Sequence, residues 1–551
     1  MTVSRSSSTA PARATVTVDG RSGMAEIGAS LFDAAESAGV SVPTSCHKRG
    51  RCRECLVEVE AGAECLSERA PEELHLTGQF RLACRARLVT EGEVRAHTLR
   101  RGALRIETEA VAIEGARYPL DPAVSRHGNS VLFEGRVIGT CAAPLHGLAI
   151  DLGTTTVALR LFDLESGRRV ATQAFENPQR FGGSDVLARI HYEATHPGQW
   201  LRRTLFGYLS HRIASMPIDP ATIFFVAVAG NPTMRDLLFG LDVQGLGVLP
   251  YQSVTEVAMR EGRAVSTSVT STAGALRWPL PAGAIVYGLP LVGSHVGADG
   301  AACLAATGLG ESDELSALLD IGTNTEVFLG NRQRLLAASC PAGPAFEGGR
   351  IACGMPALDG AIERVRVRDD GSVDLRTIED GPPTGICGSG LVDLLSELRR
   401  TGRMNEQGRF LDPDTRFHLV DDGRLFLEEA DVNELAQAKG ANAAGLRVLA
   451  ETLGTDFGRI DRLYLAGGFA RHVDIDAACR IGLIPDLPRD RIVKIGNAAL
   501  AGAEQVLLSR RCRDDLEALV RRVELVRLEA SPHFFDFFVQ GCQFVPFGAG
   551  A

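Results

Sequence analysis

Four cysteines near the start of the chain have a spacing typical of a metal site. Cys46, Cys52 and Cys55 lie in the stretch SCHKRGRCREC, separated by five and two residues, and twenty-eight residues separate Cys55 from Cys84. Three thiolates on one short loop and a fourth from a distant segment are the ligand pattern of a 2Fe-2S cluster. Four cysteines also bind zinc, although zinc sites usually take their cysteines as two close pairs.

The segments around these cysteines have the alternation of strands and one short helix. ATVTVDG and MAEIG alternate like a strand pair, SLFDAAESAGV has the period of an amphipathic helix, and LVEVEAG alternates after the third cysteine. Residues 14–95 therefore resemble 2Fe-2S ferredoxins of the adrenodoxin and plant types, with five rather than four residues in the first gap. The resemblance implies a β-grasp domain in which these four cysteines bind the iron. Cys65 has no place in the pattern and is expected to be a buried bystander.

Basic residues crowd the cysteine loop: Lys48, Arg49, Arg51 and Arg53. One interpretation is an ordinary solvated loop. The other is a positive patch beside an anionic cluster, which would raise the potential of the cluster and attract an acidic partner.

Two later segments repeat a second pattern, GLAIDLGTTTVALRLFDLESGRR at 147–169 and LLDIGTNTEVFLGNRQRLL at 318–336. In each, an apolar strand ends in Asp-x-Gly-Thr-x-Thr and a second strand follows, which predicts a hairpin with a tip of small residues. Asp151 corresponds to Asp320. Such tips let backbone N–H groups approach phosphate oxygens, threonine hydroxyls add donors, and the aspartate can hold Mg²⁺ directly or through water.

A third element, IDRLYLAGGFARHVD at 460–474, reads as a buried strand running into Gly467 and Gly468 at a helix start. Glycines there permit close approach of a flat ring or a phosphate. The order of the three elements resembles the superfamily of actin, sugar and acetate kinases and heat-shock chaperone ATPases, in which two ribonuclease-H-like halves enclose ATP and Mg²⁺.

That resemblance implies a role for ten residues. Asp151 and Asp320 would be the catalytic aspartates of the two loops. The nucleotide would be bound by the remaining loop residues and by the adenosine-side glycines, namely Gly153, Thr154, Thr155, Gly322, Thr323, Asn324, Gly467 and Gly468. Asp299 and Glu326 are further candidates to assist a metal ion or water, or alternatively simple caps of turns.

Composition limits the class of protein. The chain has 551 residues, 45% hydrophobic and 23% charged, as expected for a globular protein of several domains. Its formal net charge of -10 argues against generic binding to nucleic acid or to a membrane surface. No stretch reaches the roughly 18 apolar residues of a membrane span. Thirteen mostly scattered cysteines favour a reducing cytoplasm over a disulfide framework.

The sequence therefore predicts an α/β multidomain protein. We expect a disordered tail at 1–13, the ferredoxin-like domain at 14–95, and a short linker or middle region at 96–145. A duplicated, actin-like ATPase domain would fill 146–551, with halves of roughly 146–315 and 316–551.

A ferredoxin-like domain ahead of an actin-like ATPase resembles the reductive activators of corrinoid proteins over nearly the whole chain. The segments ENPQRFGGSDVLARI at 176–190 and SCPAGPAFEGGRIACGMPALDGAIE at 339–363 are similar to that family as well. The resemblance implies ATP-dependent, one-electron reduction of a cobalt(II) corrinoid to cobalt(I). It also implies a homodimer, a low-potential electron donor, and a corrinoid protein of a methyltransferase system as partner. The family usually carries a longer region before the first phosphate loop.

Three other functions remain open at this point. A sugar-type kinase would use the same ATP cleft but has no use for a cluster. An activase of the 2-hydroxyacyl-CoA dehydratase type also joins such an ATPase to electron transfer, but it holds a 4Fe-4S cluster between subunits. A redox sensor would bind nucleotide without turnover.

Overall fold

The computed structural model describes residues 12–40, 42, 46, 48–50, 55–99, 117–412, 414–420, 422–468 and 470–547. The chain divides into two compact units, Met1–Ala103 with Phe175–Met216 and Leu104–Ala174 with Pro217–Ala551. Of the residues singled out above, Cys52, Arg51 and Arg53 lie outside the described residues, as do 1–11 of the expected tail and 100–116 of the expected linker.

A mixed five-stranded sheet and one short helix form the first part of the first unit. The helix is α1 (Leu31–Ser37), and the strands are β1 (Arg13–Val18), β2 (Arg21–Glu26), β3 (Leu56–Ala61), β4 (Phe80–Leu82) and β5 (Glu93–Thr98). The strand order is β2-β1-β5-β3-β4, with β1 parallel to β5 and the other neighbours antiparallel. This confirms the predicted β-grasp fold. The sheet continues to Thr98, past the expected boundary at 95, and the last three residues of β5, Ala96, His97 and Thr98, are all buried.

Residues 175–216, expected within the first ATPase half, belong to the first unit. They carry the helices α2 (Val186–Thr195) and α3 (Trp200–Ala214). The Tyr192 hydroxyl donates a hydrogen bond to the carbonyl oxygen of His75, and the His75 ring stacks on Trp200 with centroids 4.7 Å apart. The loop between β3 and β4 of the ferredoxin-like domain thus packs against a distant segment through aromatic contacts that no periodicity in the sequence indicates.

The second unit begins with a small antiparallel sheet and continues into a six-stranded sheet. The small sheet occupies part of the expected linker and consists of β6 (Val124–His127), β7 (Ser130–Phe133) and β8 (Arg136–Thr140). The larger sheet contains β9 (His146–Leu152), β10 (Thr156–Asp163), β11 (Arg169–Glu176), β12 (Ile223–Gly230), β13 (Val269–Thr272) and β14 (Ile285–Gly288). Its order is β11-β10-β9-β12-β14-β13, with β9 antiparallel to β10 and parallel to β12.

A second six-stranded sheet repeats this pattern. The remaining strands are β15 (Ser316–Ile321), β16 (Thr325–Gly330), β17 (Leu335–Cys340), β18 (Ala361–Val367), β19 (Val373–Thr377), β20 (Gly385–Ile386), β21 (Arg416–His418), β22 (Phe426–Glu428), β23 (Arg462–Ala466), β24 (Ile492–Gly496) and β25 (Val523–Leu525). Six of these strands form the second large sheet, in the order β24-β23-β15-β16-β17-β25, with β15 antiparallel to β16 and parallel to β23. The other five form two small sheets, β19-β18-β20 and β21-β22. The duplication predicted from the two Asp-x-Gly-Thr hairpins is therefore confirmed at the level of topology.

Ten helices complete the part of the second unit that the structure describes. They are α4 (Pro232–Phe239), α5 (Val254–Arg260), α6 (Ala273–Leu276), α7 (Ala298–Thr307), α8 (Gly388–Arg400), α9 (Glu429–Leu453), α10 (Ile475–Arg480), α11 (Ala498–Leu508), α12 (Arg510–Val520) and α13 (Phe534–Gly541). Buried residues of α7 and α11 share one hydrophobic cluster with strands of both large sheets, so the two halves have a common core. None of the described helices combines the length and apolarity needed to span a membrane.

The aromatic contact in the first unit yields a stability prediction. Trp200→Ala removes the ring stacked on His75, and we expect the free energy of unfolding of this unit to fall by about 2 kcal/mol. Hydrogen exchange should report faster exchange of backbone amides in residues 55–99. Leu187→Ala, at an α2 position that is 63% exposed, is the control and should leave exchange unchanged. Equal protection in the two variants would contradict the packing.

Candidate functional site

Pairing of two strands brings together two of the predicted cluster ligands. Cys55 directly precedes β3 and Cys84 lies two residues after β4, and these strands pair with Leu56 opposite Leu82. Both cysteines are buried, and the Cys55 thiol donates to the sulfur of Cys84 across 3.3 Å. Two ligands that are 29 positions apart in sequence are therefore neighbours in space.

Hydrogen bonds to the sulfur of Cys84 favour its charged form. The hydrogen bond from Cys55 lowers the pKa of the Cys84 thiol below its usual value, the backbone N–H of Gly50 acts in the same direction, and the nearby Cys46 opposes both. In the described part of the chain no three histidine, cysteine or acidic side chains are gathered as a metal site, and Cys52 lies outside that part. The Cys55–Cys84 pair fits two of the four thiolate ligands of a 2Fe-2S cluster.

Lys48 of the basic loop has acidic partners within the same unit. Its ammonium group lies 2.7 Å from a carboxylate oxygen of Asp33 and 2.8 Å from one of Glu36, both on α1. The hydrogen bonds to these two carboxylates raise the pKa of Lys48. For this residue the contacts favour an ordinary loop surface over a patch that attracts an acidic partner.

In the second unit, both hairpin tips and the third glycine element line one cavity of about 320 Å³. Every residue that the ATPase resemblance implied lies on its wall. They are Asp151, Gly153, Thr154, Thr155, Asp320, Gly322, Thr323, Asn324, Gly467 and Gly468.

Close backbone approaches explain two of these glycines. At the first tip, the N–H of Gly153 donates to the carbonyl oxygen of Thr156, and a Cβ at position 153 would lie 2.8 Å from that oxygen. Gly467 has a φ of 106°, and a Cβ there would lie 2.2 Å from the carbonyl oxygen of Ile321 at the end of β15. The sequence placed Gly467 and Gly468 at a helix start, which is wrong: they lie in a turn, and α10 begins only at Ile475.

Four carboxyl groups share the cavity, those of Asp151, Asp299, Asp320 and Glu326. Burial raises the pKa of Asp151 to about 7, with the charge of Asp320 adding to this and a hydrogen bond from Asn497 opposing it. Burial, and then the charge of Asp320, raise the pKa of Asp299 to about 7. Burial also raises the pKa values of Asp320 and Glu326. Protein atoms surround these groups while part of each faces the cavity.

These carboxyl groups do not form a metal site by themselves among the described residues, but one or two of them suffice for a divalent cation whose other ligands are phosphate oxygens and water. Ionised carboxylates that repel one another in a protein interior are stabilised when a cation or protons compensate their charge. Carboxylate oxygens are the protein ligands that Mg²⁺ takes beside phosphate oxygens and water. The donor set of the cavity therefore fits Mg²⁺, and Asp299 and Glu326 lie on the wall with the two loop aspartates.

Two asparagines that the sequence did not single out hold the first phosphate loop. The amide nitrogen of Asn231 donates to the Thr154 hydroxyl across 3.0 Å, and that of Asn497 donates to Asp151 across 2.8 Å. The carbonyl oxygens of their side chains cap α4 and α11. An asparagine between a strand and a helix predicts that its side chain caps the helix. The contact of the amide nitrogen with the first loop could not be predicted, because it depends on which loop the fold places beside the asparagine.

Glu347 was also missed as an individual residue. It ends a short 3₁₀ turn, Ala345–Glu347, within the segment 339–363 that resembles the corrinoid activators. One oxygen of its carboxylate accepts a hydrogen bond from the Thr155 hydroxyl and the other accepts one from the Thr323 hydroxyl, both at 2.9 Å. Glu347 thus contacts both phosphate loops.

Family profiles match most of the chain in three consecutive parts. Residues 16–89 match a 2Fe-2S iron-sulfur cluster binding domain, residues 146–312 the RACo middle region, and residues 314–549 the C-terminal ASKHA domain of RACo. The chain belongs to the RACo family of reductive activators. The RACo middle region corresponds to the segment that the sequence assigned to the first ATPase half.

Individual relatives of this family extend the comparison. The chain is 29% identical over 434 residues to the corrinoid activation enzyme RamQ of Eubacterium limosum, covering 73% of this chain and 70% of that protein. It is 23% identical over 424 residues to a [Co(II) methylated amine-specific corrinoid protein] reductase of Methanosarcina barkeri, covering 72% and 76%. The solved structure of a reductive activator for corrinoid,iron-sulfur protein superposes with a TM-score of 0.70 at 27% identity, covering 96% of this chain and 98% of that one.

The raised pKa of Asp299 predicts a pH dependence of stability. Its pKa is about 7 in the folded protein against an ordinary 3.8, so the folded state keeps a proton that the unfolded chain loses. Stability should therefore fall as the pH rises from about 4 to 7. Without nucleotide and in EDTA, we expect Asp299→Asn to be more stable than the wild type at pH 8, by on the order of 2 kcal/mol.

Thermal unfolding at pH 5 and pH 8 measures this difference. The stabilisation should shrink at pH 5, where the wild-type carboxyl is protonated in the folded state. Asp490→Asn, at an exposed position, is the control and should melt like the wild type at both pH values. A stabilisation that is the same at both pH values would contradict the assignment.

Proposed function

We propose that this protein is an ATP-driven reductive activase that passes one electron to the cobalt(II) corrinoid of a partner protein and restores cobalt(I). The observation that carries the proposal is the presence in one chain of the buried Cys55–Cys84 pair and a cleft lined by two duplicated phosphate loops. The names of the relatives point in the same direction, since one is a corrinoid activation enzyme and another a cobalt(II) corrinoid protein reductase.

Energetics explains why electron transfer would be joined to ATP. A plant-type 2Fe-2S centre has a reduction potential near about -400 mV. Reduction of an acceptor of lower potential is uphill, and each deficit of about 59 mV lowers the equilibrium constant tenfold. ATP can compensate for this deficit only if the protein with ATP bound and the protein with ADP bound differ in conformation or in affinity for the partner. Reduction of such an acceptor therefore needs the ATP-driven change as well as the cluster.

In the nucleotide cleft we assign roles by chemistry. Asp151 and Asp320 would hold the cation, directly or through water, and Mg²⁺ would supply charge compensation for the phosphate oxygens. The hydroxyls of Thr154, Thr155 and Thr323 would donate to phosphate oxygens. Gly467, whose lack of a side chain lets the turn lie against the end of β15, would leave space for the adenosine side of the nucleotide.

At the electron-transfer end, Cys46, Cys52, Cys55 and Cys84 would hold the 2Fe-2S cluster, which supplies one-electron chemistry. The strand pairing described above brings Cys55 and Cys84 together, and burial keeps both thiols from bulk water. No disulfide joins any of the twelve described cysteines, which agrees with a reducing, cytoplasmic location. A homodimer, a low-potential donor and a methyltransferase-system corrinoid protein stay predictions of the family resemblance.

Two alternatives fit the structure less well. A sugar-type kinase gives no role to the cysteine pair and its sheet. An activase of the dehydratase type would hold its cluster between subunits, whereas here two of the expected ligands are adjacent within one chain. A redox sensor without turnover is distinguished by the experiments that follow.

The cluster assignment is tested by substitution of cysteines. Cys55→Ser and Cys84→Ser should each remove most of the iron from anaerobically purified protein, because a hydroxyl is a poorer ligand than a thiolate. Iron and sulfide analysis of the wild type should give about two of each per chain. Cys65→Ser, at another buried cysteine of the same unit, is the control and should keep its iron. Stoichiometric zinc in place of iron would contradict the assignment.

The coupling is tested by anaerobic spectroscopy of a cobalt(II) corrinoid protein mixed with the activase and a low-potential donor. Cobalt(I) should accumulate with ATP and not without it. Asp151→Asn and Asp320→Asn should each lower ATP turnover by about 100-fold or more while the visible spectrum of the cluster persists. Equal cobalt(I) yields with and without ATP would show that ATP is not the driver, and turnover without any reduction would favour the sensor.

A further inference from the structure

The position of Glu347 creates a conflict over hydrogen-bond donors in the nucleotide cleft. A threonine hydroxyl has one proton to donate. Thr155 donates its proton to one carboxylate oxygen of Glu347, and Thr323 donates its proton to the other. Neither hydroxyl can donate to a phosphate oxygen while these two bonds persist.

The two threonines come from the two halves of the unit. Thr155 lies at the tip between β9 and β10, and Thr323 lies at the tip between β15 and β16. One carboxylate therefore connects the two phosphate loops, and it does so with the acceptor chemistry of a phosphoryl group, namely anionic oxygens facing hydroxyl donors. A phosphoryl group at the same place would receive the same protons.

Charge adds to this conflict. The cleft already contains the carboxyls of Asp151 and Asp320, and Glu347 lies on the same cavity wall. Bringing the terminal phosphoryl group of ATP next to an ionised Glu347 would place two anions in contact within a partly enclosed site, which is unfavourable. Binding of the triphosphate and persistence of the carboxylate bridge are therefore alternatives.

We propose that Glu347 is the sensor of the terminal phosphoryl group: its carboxylate bridges Thr155 and Thr323 in the absence of ATP, and the γ-phosphoryl group displaces it. ADP has no γ-phosphoryl group and leaves the bridge in place. The inference rests on the proposed ATP cleft and adds how that cleft distinguishes ATP from ADP. Displacement would also move the turn Ala345–Glu347, so that triphosphate binding is converted into a change of chain conformation.

Calorimetric titration of the full-length protein in Mg²⁺ buffer tests the proposal, with a non-hydrolysable β,γ-imido analogue of ATP and with ADP as probes. Glu347→Ala removes the competing carboxylate, so affinity for the ATP analogue should rise about tenfold, which corresponds to about 1.4 kcal/mol. Affinity for ADP should change by less than about twofold, below 0.5 kcal/mol. Glu347→Gln has one acceptor oxygen in place of two and should give an intermediate gain.

A double-mutant cycle tests whether the effect passes through the two hydroxyls. In a background of Thr155→Val and Thr323→Val there is no bridge to break, so Glu347→Ala should improve binding of the ATP analogue by clearly less than in the wild type, and only relief of charge repulsion should remain. Glu434→Ala is the control, because Glu434 is a partly exposed glutamate of α9 whose ion pair is with Arg350. It should leave the ratio of the two affinities unchanged.

The outcomes separate the sensor from the proposed function. Weaker binding of the ATP analogue by Glu347→Ala, an equal shift for both nucleotides, or a gain that is undiminished in the double threonine background would each overturn the sensor alone. A wild-type protein that binds neither nucleotide would overturn the proposed function and the sensor together. Normal binding of ADP by Glu347→Ala shows that the variant is folded.

Discussion

The meeting of two strand ends at one cavity is the constraint on which the rest of the second unit depends. β9 brings Asp151 to this point and β15 brings Asp320, and each strand turns back at a tip of small residues. The carboxyls of Asp299 and Glu326 join them, and burial raises the pKa of each. The folded protein thus contains several carboxyl groups whose burial in the charged form is unfavourable, which is typical of a binding site that a ligand completes.

Several side chains around this cavity serve two elements at once. Asn231 and Asn497 cap helices α4 and α11 through their carbonyl oxygens and hold the first phosphate loop through their amide nitrogens. Glu347 contacts both loops. A ligand that changes any of these contacts therefore acts on a helix or on a second loop as well, which is the kind of linkage that conformational coupling requires.

The first unit combines two segments that are far apart in sequence. The loop between β3 and β4 contributes His75, and the insertion at 175–216 contributes Tyr192 and Trp200. The insertion is joined at its two ends to β11 and β12, which belong to the first large sheet of the nucleotide-binding unit. The loop between β3 and β4 is thus packed against a segment that continues along the chain into two strands of the first large sheet. For an activase that couples ATP to electron transfer, this is a direct covalent connection between the two functions.

The sequence by itself determined the two kinds of chemistry and most of the architecture. Cysteine spacing, strand alternation and the repeated Asp-x-Gly-Thr motif are local patterns, and with the family resemblances that they carry they indicated the β-grasp sheet, the duplicated hairpins and ten of the residues that line the cleft. Local patterns are readable because each depends on neighbours within a few positions, through side-chain period and turn chemistry. The three-stranded sheet β6–β8 was missed because its short strands lack a buried face with strong alternation.

Tertiary structure decided which groups contact one another over long distances. It assigned residues 175–216 to the first unit, separated Gly467 from the start of α10, and brought Asn497 to Asp151 across 346 positions. It also joined Glu347 to Thr155 across 192 positions and to Thr323 across 24. No periodicity encodes such pairs, because a hydrogen bond between distant residues depends on how sheets and helices pack and not on the local preference of either residue.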